Sequence, residues 1–350
     1  MKDGWEIKKF ECCIGKIPKP QQLKTSDYMS EGKYPIVSQE ASMISGYTDM
    51  EEFVYRVQNP VVIFGDHTRI LKYVDFDFVV GADGVKILIP TENLNAKYFY
   101  HFLTWYDIPS LGYSRHYKLL KEINIPIPPL PEQERIVSEL DCINGILEKK
   151  QEQIKELDAL AQSIFYHMFG DPVTNEKGWE VRKLENVCKK LFAGGDVPKE
   201  NFSPQETDEY NIPIYSNGVG DKALYGYTNI SRVEDVSLTI SGRGTIGYCE
   251  LRTPPFFPVV RLIVATPHDD IDAVVLKFIL NAMDLKGTGG AIPQLTVPMV
   301  KSLPIILPPL PLQQSFATKI AAIEKQKELI KRSIAEVETL LSSRMQHYFG

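Results

Sequence analysis

Nothing in this 350-residue sequence approaches an unbroken run of 18 apolar residues, so no segment reads as a membrane-spanning helix. The opening "MKDGWEIKKFECC" also lacks the apolar stretch of a secretory signal. Cysteine is scarce and unpatterned. Cys12, Cys13, Cys142, Cys188 and Cys249 form no CxxC pair and no Cys/His spacing suited to zinc, so free thiols in a reducing cytoplasm are expected. The six histidines show neither HxH nor HExxH, and no metal site is expected. There is no GxxxxGK[ST] loop to cradle a nucleotide's phosphates. The Pro-Pro pairs at 128, 254 and 308 follow Ile, Thr and Leu, so the Asn/Asp-Pro-Pro-Tyr/Phe tetrad that holds a flipped adenine is missing too. Glu6-Ile7-Lys8 is a lone acid-x-Lys run without the second carboxylate a nuclease needs. Excess positive charge is lacking as well: the net charge is −6, and residues 1–124 carry 15 Lys+Arg against 16 Asp+Glu. Any nucleic-acid contact must come from local patches or a basic partner.

What the chain does have is itself, twice. "IPIPPLPEQERI" (125–136) returns as "IILPPLPLQQSF" (305–316), and the copies end in "HMFG" (167–170) and "HYFG" (347–350). Upstream, "GWEIKKF" (4–10) answers "GWEVRKL" (178–184), "YPIVS" (34–38) answers "IPIYS" (212–216), and "IFGDHT" (63–68) sits where "ISGRGT" (240–245) sits. A repeat of this length means a duplicated structural unit.

Two segments read as long helices. From Ile136 the seam runs Leu140, Ile143, Leu147, Lys150, Ile154, Leu157, Ala161, Ile164, Met168; its copy runs Phe316, Ile320, Ile323, Lys327, Ile330, Ile334, Val337, Leu341, Arg344, Tyr348. Steps of four and three sustain a 3.5-residue period, the pattern of a coiled-coil seam. The proline lead-ins stop the helix from extending upstream, and Glu132 and Glu134 favour the first turn of the first copy. Lys150 and Lys327 interrupt the seam and are candidates for fixing its register. The remaining segments alternate short β-rich runs ("PVVIF", "DFVVGADGVKILIP", "VSLTISG", "PVVRLIVA") with Gly/Asn/Asp turns, and each has one amphipathic stretch, 95–106 and 271–283. The expected fold is α+β: two mixed, mainly β domains (1–124 and 171–302), each followed by a Pro-rich lead-in and a long helix (125–170 and 303–350), in tandem duplication with pseudo-two-fold symmetry.

A domain opening with Gly-Trp-Glu, a "PPLPEQ" lead-in, a long helix, and repetition of the whole resembles the specificity (S) subunit of Type I restriction-modification systems over essentially the full chain. "FGDHTRILKYVDFDFVVGADGVKIL" (64–88) is similar to that family's target-recognition domains. The second lead-in departs, with Leu312 and Gln314 in place of Glu132 and Glu134, but keeps Gln313. The resemblance implies a non-catalytic subunit whose two target-recognition domains each read half of a bipartite, asymmetric double-stranded DNA sequence. Helices 132–168 and 312–348 then pair as an antiparallel coiled coil that sets the spacer. Two methyltransferase (M) subunits, carrying S-adenosylmethionine, are the implied partners, with restriction (R) subunits carrying ATP and Mg; this chain itself needs no cofactor. The M subunits are expected at the helices and their lead-ins, Pro128–Gln133 and Pro308–Gln313.

Base-edge readout requires forked donors, with smaller polar groups on phosphate. In the first domain the candidates are His67, Thr68, Arg69, Lys72 and Tyr73, then Ser114, Arg115, His116, Tyr117 and Lys118. In the second they are Ser241, Arg243, Thr245 and Tyr248, then Thr288 and Gln294. Two other readings compete. A complete DNA-modifying enzyme lacks its base-holding tetrad and cofactor loop here, and a non-enzymatic coiled-coil adaptor for protein or glycan predicts no DNA preference.

Overall fold

The computed structural model describes residues 4–81, 84–112, 114–283, 285 and 294–350. Contacts divide the chain into two units: Met1–Gln151 with Lys331–Gly350, and Glu152–Ile330. Each unit therefore contains one β-rich domain, part of the long helix that follows it, and part of the other long helix.

In the first unit, strand Glu6–Lys9 pairs antiparallel with Asn124–Ile127, Glu6 opposite Ile127, which brings the opening of the repeat beside its proline lead-in. A three-stranded antiparallel sheet is built on Val61–Gly65, flanked by Leu71–Val74 and Val85–Leu88. A second sheet has the order Gly46–Thr48, Tyr34–Val37, Phe78–Val80, Val54–Tyr55, with a parallel pair at its centre. The central strand VVIFG is wholly buried because both of its faces are covered. Val62 and Phe64 pack with helix residues Tyr98, Phe99 and Phe102, while Val61 and Ile63 join Val37, Phe78 and Val80 from the second sheet. Alternate residues thus serve two cores, as the two-residue strand period dictates.

The second unit repeats this plan. Glu180–Lys183 pairs with Pro304–Leu307. One sheet has the order Cys188–Ala193, Ile263–Pro267, Ser237–Ile240, Cys249–Arg252; the other has Leu224–Thr228, Ile212–Tyr215, Phe257–Pro258, again with a parallel pair (Ile214 opposite Phe257). The stretch "PVVRLIVA" is broken, not one strand: it turns at 259–262, where Val260 and Arg261 both take positive φ (41° and 64°).

Both amphipathic stretches are helices, Ala96–Tyr106 and Ala273–Ala282, capped by Asn95 and Asp272, whose carboxamide or carboxylate oxygens accept first-turn N–H groups. The long helices run Leu130–Phe169 and Leu310–Phe349, slightly longer than the seam alone implies. In each unit their pairing is antiparallel. Arg135 meets Tyr348 and Glu139 meets Arg344 in the first unit; Asp158 meets Lys327 and Phe169 meets Phe316 in the second. Lys327 lies in the seam with its ammonium ion-paired to Asp158 at 2.7 Å and Glu324 at 2.9 Å. Burial works against that charge, but the two carboxylates prevail and hold its pKa above the ordinary lysine value.

The first Phe-Gly ending is also accounted for. Gly170 has φ +76° and closes the first long helix, its N–H donating to the Tyr166 carbonyl at 2.8 Å. Trp179 of the second Gly-Trp-Glu then donates its indole N–H to the Phe169 carbonyl. Among the described residues no helix is long and apolar enough to cross a membrane.

Candidate nucleic-acid interface

Each unit gathers its candidate loops by hydrogen bonds made within the chain. In the first unit the tight loop after Val61–Gly65 closes with the Arg69 N–H on the Gly65 carbonyl (2.7 Å) and the Gly65 N–H on the Ile70 carbonyl (2.9 Å). Arg69 sits in the left-handed region, φ 63°, and its guanidinium donates to the Ile108 carbonyl at 2.6 Å. Gln39 links this loop to the one before it: its side-chain oxygen accepts the His67 N–H and its backbone carbonyl accepts the Thr68 hydroxyl at 2.7 Å. Asp66, 2% exposed, ties in the segment before Lys118 by accepting the Tyr117 N–H at 2.8 Å. The loops around 38–43, 65–70 and 108–117 are therefore one cluster.

Several candidates serve that cluster from inside. Lys72 is 4% exposed, and its ammonium donates to the carbonyls of Ser38 (2.8 Å), Ser42 (2.6 Å) and Met43. Burial lowers its pKa, the three carbonyl dipoles take the place of lost water, and no hydrogen of it is left for a ligand. His116 is 1% exposed; its Nδ1–H donates to the Asp66 carbonyl and its Nε2 accepts the Leu111 N–H. Both are removed from the set that faces outward, because the loop backbone needs them. Tyr73 lies elsewhere, beside Tyr100 and under the Lys97 ammonium. The Tyr117 ring packs near Phe10, with Lys86 and Lys121 each 5.9 Å from its centroid. Thr68, Arg115 and Lys118 are exposed, and His67, Arg69 and Ser114 are half-buried at the rim.

The second unit builds the same cluster with different side chains. Asn217 stands where Gln39 stands. Its carbonyl oxygen accepts the Gly242 N–H (2.8 Å) and Arg243 N–H (3.4 Å), and its amide donates to the Val260 carbonyl (2.7 Å). Gly242, at the repeat position of Gly65, is needed for the approach: a Cβ there falls 2.7 Å from the Arg261 carbonyl oxygen and 2.9 Å from that of Leu295. The Leu295 N–H donates to the Gly242 carbonyl, so the segment around 294–295 joins too. The positive-φ pair Val260–Arg261, costly for non-glycine residues, is pinned by the Val260 N–H on the Gly195 carbonyl and the Val259 N–H on the Tyr215 carbonyl.

Ser241 is 2% exposed and its hydroxyl faces the Gly218 N–H, so it too is removed from the outward set by burial. The Tyr248 hydroxyl donates to Glu250, which also holds Lys277; burial first, and that carboxylate second, push the phenol's pKa up. Arg243 and Thr245 are exposed, as is Gln294. Thr288 lies outside the described residues. Three outward or organising residues escape the sequence reading. Gln39 and Asn217 were discoverable, since both follow the serine of the shared "IVSQ/IYSN" stretch. Arg261 carries no such signal, because "PVVRLIVA" reads as one strand.

No group of three or more His, Cys, Asp or Glu side chains able to hold a metal occurs among the described residues. The outward chemistry of both clusters is instead forked and single hydrogen-bond donors on loops fixed to sheet ends, suited to binding polar edges and anions.

Comparison with known proteins places these features. The family model for the Type I restriction modification DNA specificity domain matches residues 3–157 and again 176–339. A protein of Mycoplasma pneumoniae named as a type I specificity subunit is 27% identical over 316 residues, covering 85% of this chain and 83% of its own length. The Escherichia coli EcoR124I/EcoR124II specificity subunit is 28% identical over 221 residues, 57% of this chain and 52% of its own. In fold, the Mycoplasma genitalium S subunit structure superposes with a TM-score of 0.63 at 16% identity, covering 99% of this chain and 96% of that one. With the family model matched once on each β-rich half, the chain belongs to the Type I restriction-modification DNA specificity family, as a specificity subunit with two tandem target-recognition domains.

Proposed function

We propose that the two target-recognition domains each read one half of a bipartite, asymmetric double-stranded DNA target, and that the long helices set the separation of the halves. The observation that carries this is the loop cluster built twice on one plan, with Gln39 and Asn217 as its matching organisers, and with unlike outward residues, Arg115 and Lys118 against Arg243, Arg261 and Gln294. Equal scaffolds with unequal donors suit two different half-sites. A 40-residue helix is about 60 Å long, ample for half-sites one DNA turn, roughly 34 Å, apart.

In this reading the chain supplies recognition and no catalysis, in the cytoplasm. Two M subunits, with S-adenosylmethionine, dock on the helices and their lead-ins; R subunits, with ATP and Mg, complete the assembly. At the lead-ins the exposed apolar side chains are Leu130 and Leu310, and these are the residues offered to M, since Gln133 and Gln313 are fully buried.

The test is long-read methylation mapping of DNA from cells expressing this chain with its M subunit. A split, asymmetric motif is expected, one half of which changes when 171–302 is exchanged for another such domain. A stable complex with M that methylates no defined motif would sink the reading.

A further inference from the structure

Arg243 and Arg261 stand on different loops of the second unit, yet their guanidinium groups converge on one atom. Nη2 of Arg243 and Nη1 of Arg261 both donate to Oε1 of Gln294, at 3.4 and 2.8 Å. All three side chains are exposed. Arg56, Arg135, Arg182 and Arg344 each meet a carboxylate, but among the described residues none pairs with Arg243 or Arg261. Two like charges are thus brought together by a neutral amide, with most of their N–H donors directed to solvent. Such a pair is short of acceptors.

The surrounding backbone is arranged to hold it there. Asn217 fixes the Arg243 N–H on one side and the Val260 carbonyl on the other, so one side chain sets both arginine-bearing loops. Arg261 keeps a left-handed backbone, φ 64°, on a turn held as well by the Val260 N–H on the Gly195 carbonyl. The first unit has no counterpart at Arg243's place, because Asp66 there is turned inward onto the Tyr117 N–H.

Resting on the DNA-reading role proposed above, we infer that Arg243 and Arg261, oriented by Gln294, read guanine in the half-site of the second domain. Guanine offers two adjacent acceptors, O6 and N7, on its major-groove edge, the complement of an arginine fork. Gln294 tethers one N–H of each guanidinium, so less side-chain freedom is lost on binding.

The test uses the full chain with its M subunits and long-read methylation mapping, comparing wild type with Arg243→Ala, Arg261→Ala and Arg261→Lys. Wild type is expected to require a G·C pair in the half that moves with residues 171–302. One fork fills both acceptors of one guanine, so each variant is expected to relax discrimination at one G·C pair of that half by about tenfold to a hundredfold and leave the other half unchanged. Arg261→Lys is informative because it keeps charge and bulk and loses only the fork. A second half without G·C, an unchanged motif, or a uniform loss over all sites with no relaxation (a phosphate contact) would each overturn the guanine assignment. A wild-type complex with no split motif would instead remove the reading on which it rests.

Discussion

The side-chain carbonyl of Gln133 accepts the backbone N–H of Asn95 at 2.8 Å, and its amide donates to the carbonyls of Asn93 and Pro128. Gln313 repeats every bond: it accepts from Asp272 at 2.7 Å and donates to Asp270 and Pro308. Both glutamines have zero exposure. Asn95 and Asp272 are the N-caps of the short helices, so each glutamine fastens a short helix to the first turn of the long one. This is why Gln133 and Gln313 match between the lead-ins while their neighbours Glu132 and Glu134 become Leu312 and Gln314.

Replacing this glutamine with an apolar residue of similar size leaves one buried carbonyl, and a half-buried N–H and carbonyl, without this partner. Gln133→Leu is expected to destabilise the first unit by about 2–3 kcal/mol, and Gln313→Leu the second by a similar amount, since each orphaned buried group costs roughly 1–3 kcal/mol. Denaturant unfolding of each variant measures it. A loss below about 0.5 kcal/mol would mean that water satisfies these groups and that the latch is incidental.

The duplication and the helices were legible because they are written in period and punctuation. A 3.5-residue seam and a proline lead-in survive changes of individual side chains, so Ile136 can become Phe316 without obscuring the pattern. The outward side chains of the loop clusters were legible only as segments. A lysine beside a loop looks the same in sequence whether it stays exposed, as Lys118 does, or is swallowed by the loop's own carbonyls, as Lys72 is. His116 and Ser241 went the same way, because what decides is where the backbone leaves unpaired groups, and that is set by long-range contacts. Arg261 was hidden for the opposite reason: a β-rich run conceals a turn when its residues, Val260 and Arg261, are not turn formers.

The two units brace their short helices differently, and this gives a pH dependence to one of them. His101 is 3% exposed and donates Nε2–H to Asp141 at 3.0 Å, with Lys97 on the carboxylate's other oxygen and Tyr100 beside the ring. Burial lowers the imidazole's pKa below the ordinary 6.5, against the pull of Asp141. The unfolded chain therefore takes up the proton first, and the first unit's stability is full above pH 6.5 and falls as pH drops through the lowered folded value. At the matching place the second unit has Phe278, packed 5.5 Å from Phe165 and 5.0 Å from Phe316. His101→Phe is expected to flatten the dependence of the first unit's melting temperature on pH between 7 and 5. An unchanged slope would assign the acid sensitivity to carboxylates elsewhere.

The Phe-Gly endings support a last expectation, on how the long helices stabilise the domains. Phe169 is fully buried, its ring 5.4 Å from Phe165 and 5.2 Å from Phe316 in the second unit. Phe349 is 7% exposed, 5.5 to 5.8 Å from Tyr98, Phe102 and Trp105 in the first. Removing a buried phenyl ring costs about 3–5 kcal/mol, more where the walls cannot collapse. Phe169→Ala is expected near the upper end, since its walls are other locked rings, and Phe349→Ala near the lower, since water already reaches the site. Hydrogen exchange of the short helices separates the two effects: Phe349→Ala should accelerate Ala96–Tyr106 and spare Ala273–Ala282, and Phe169→Ala the reverse. Equal acceleration of both helices by either variant would mean that the two domains unfold as one cooperative body, and that each helix end stabilises the whole chain instead of the domain it enters.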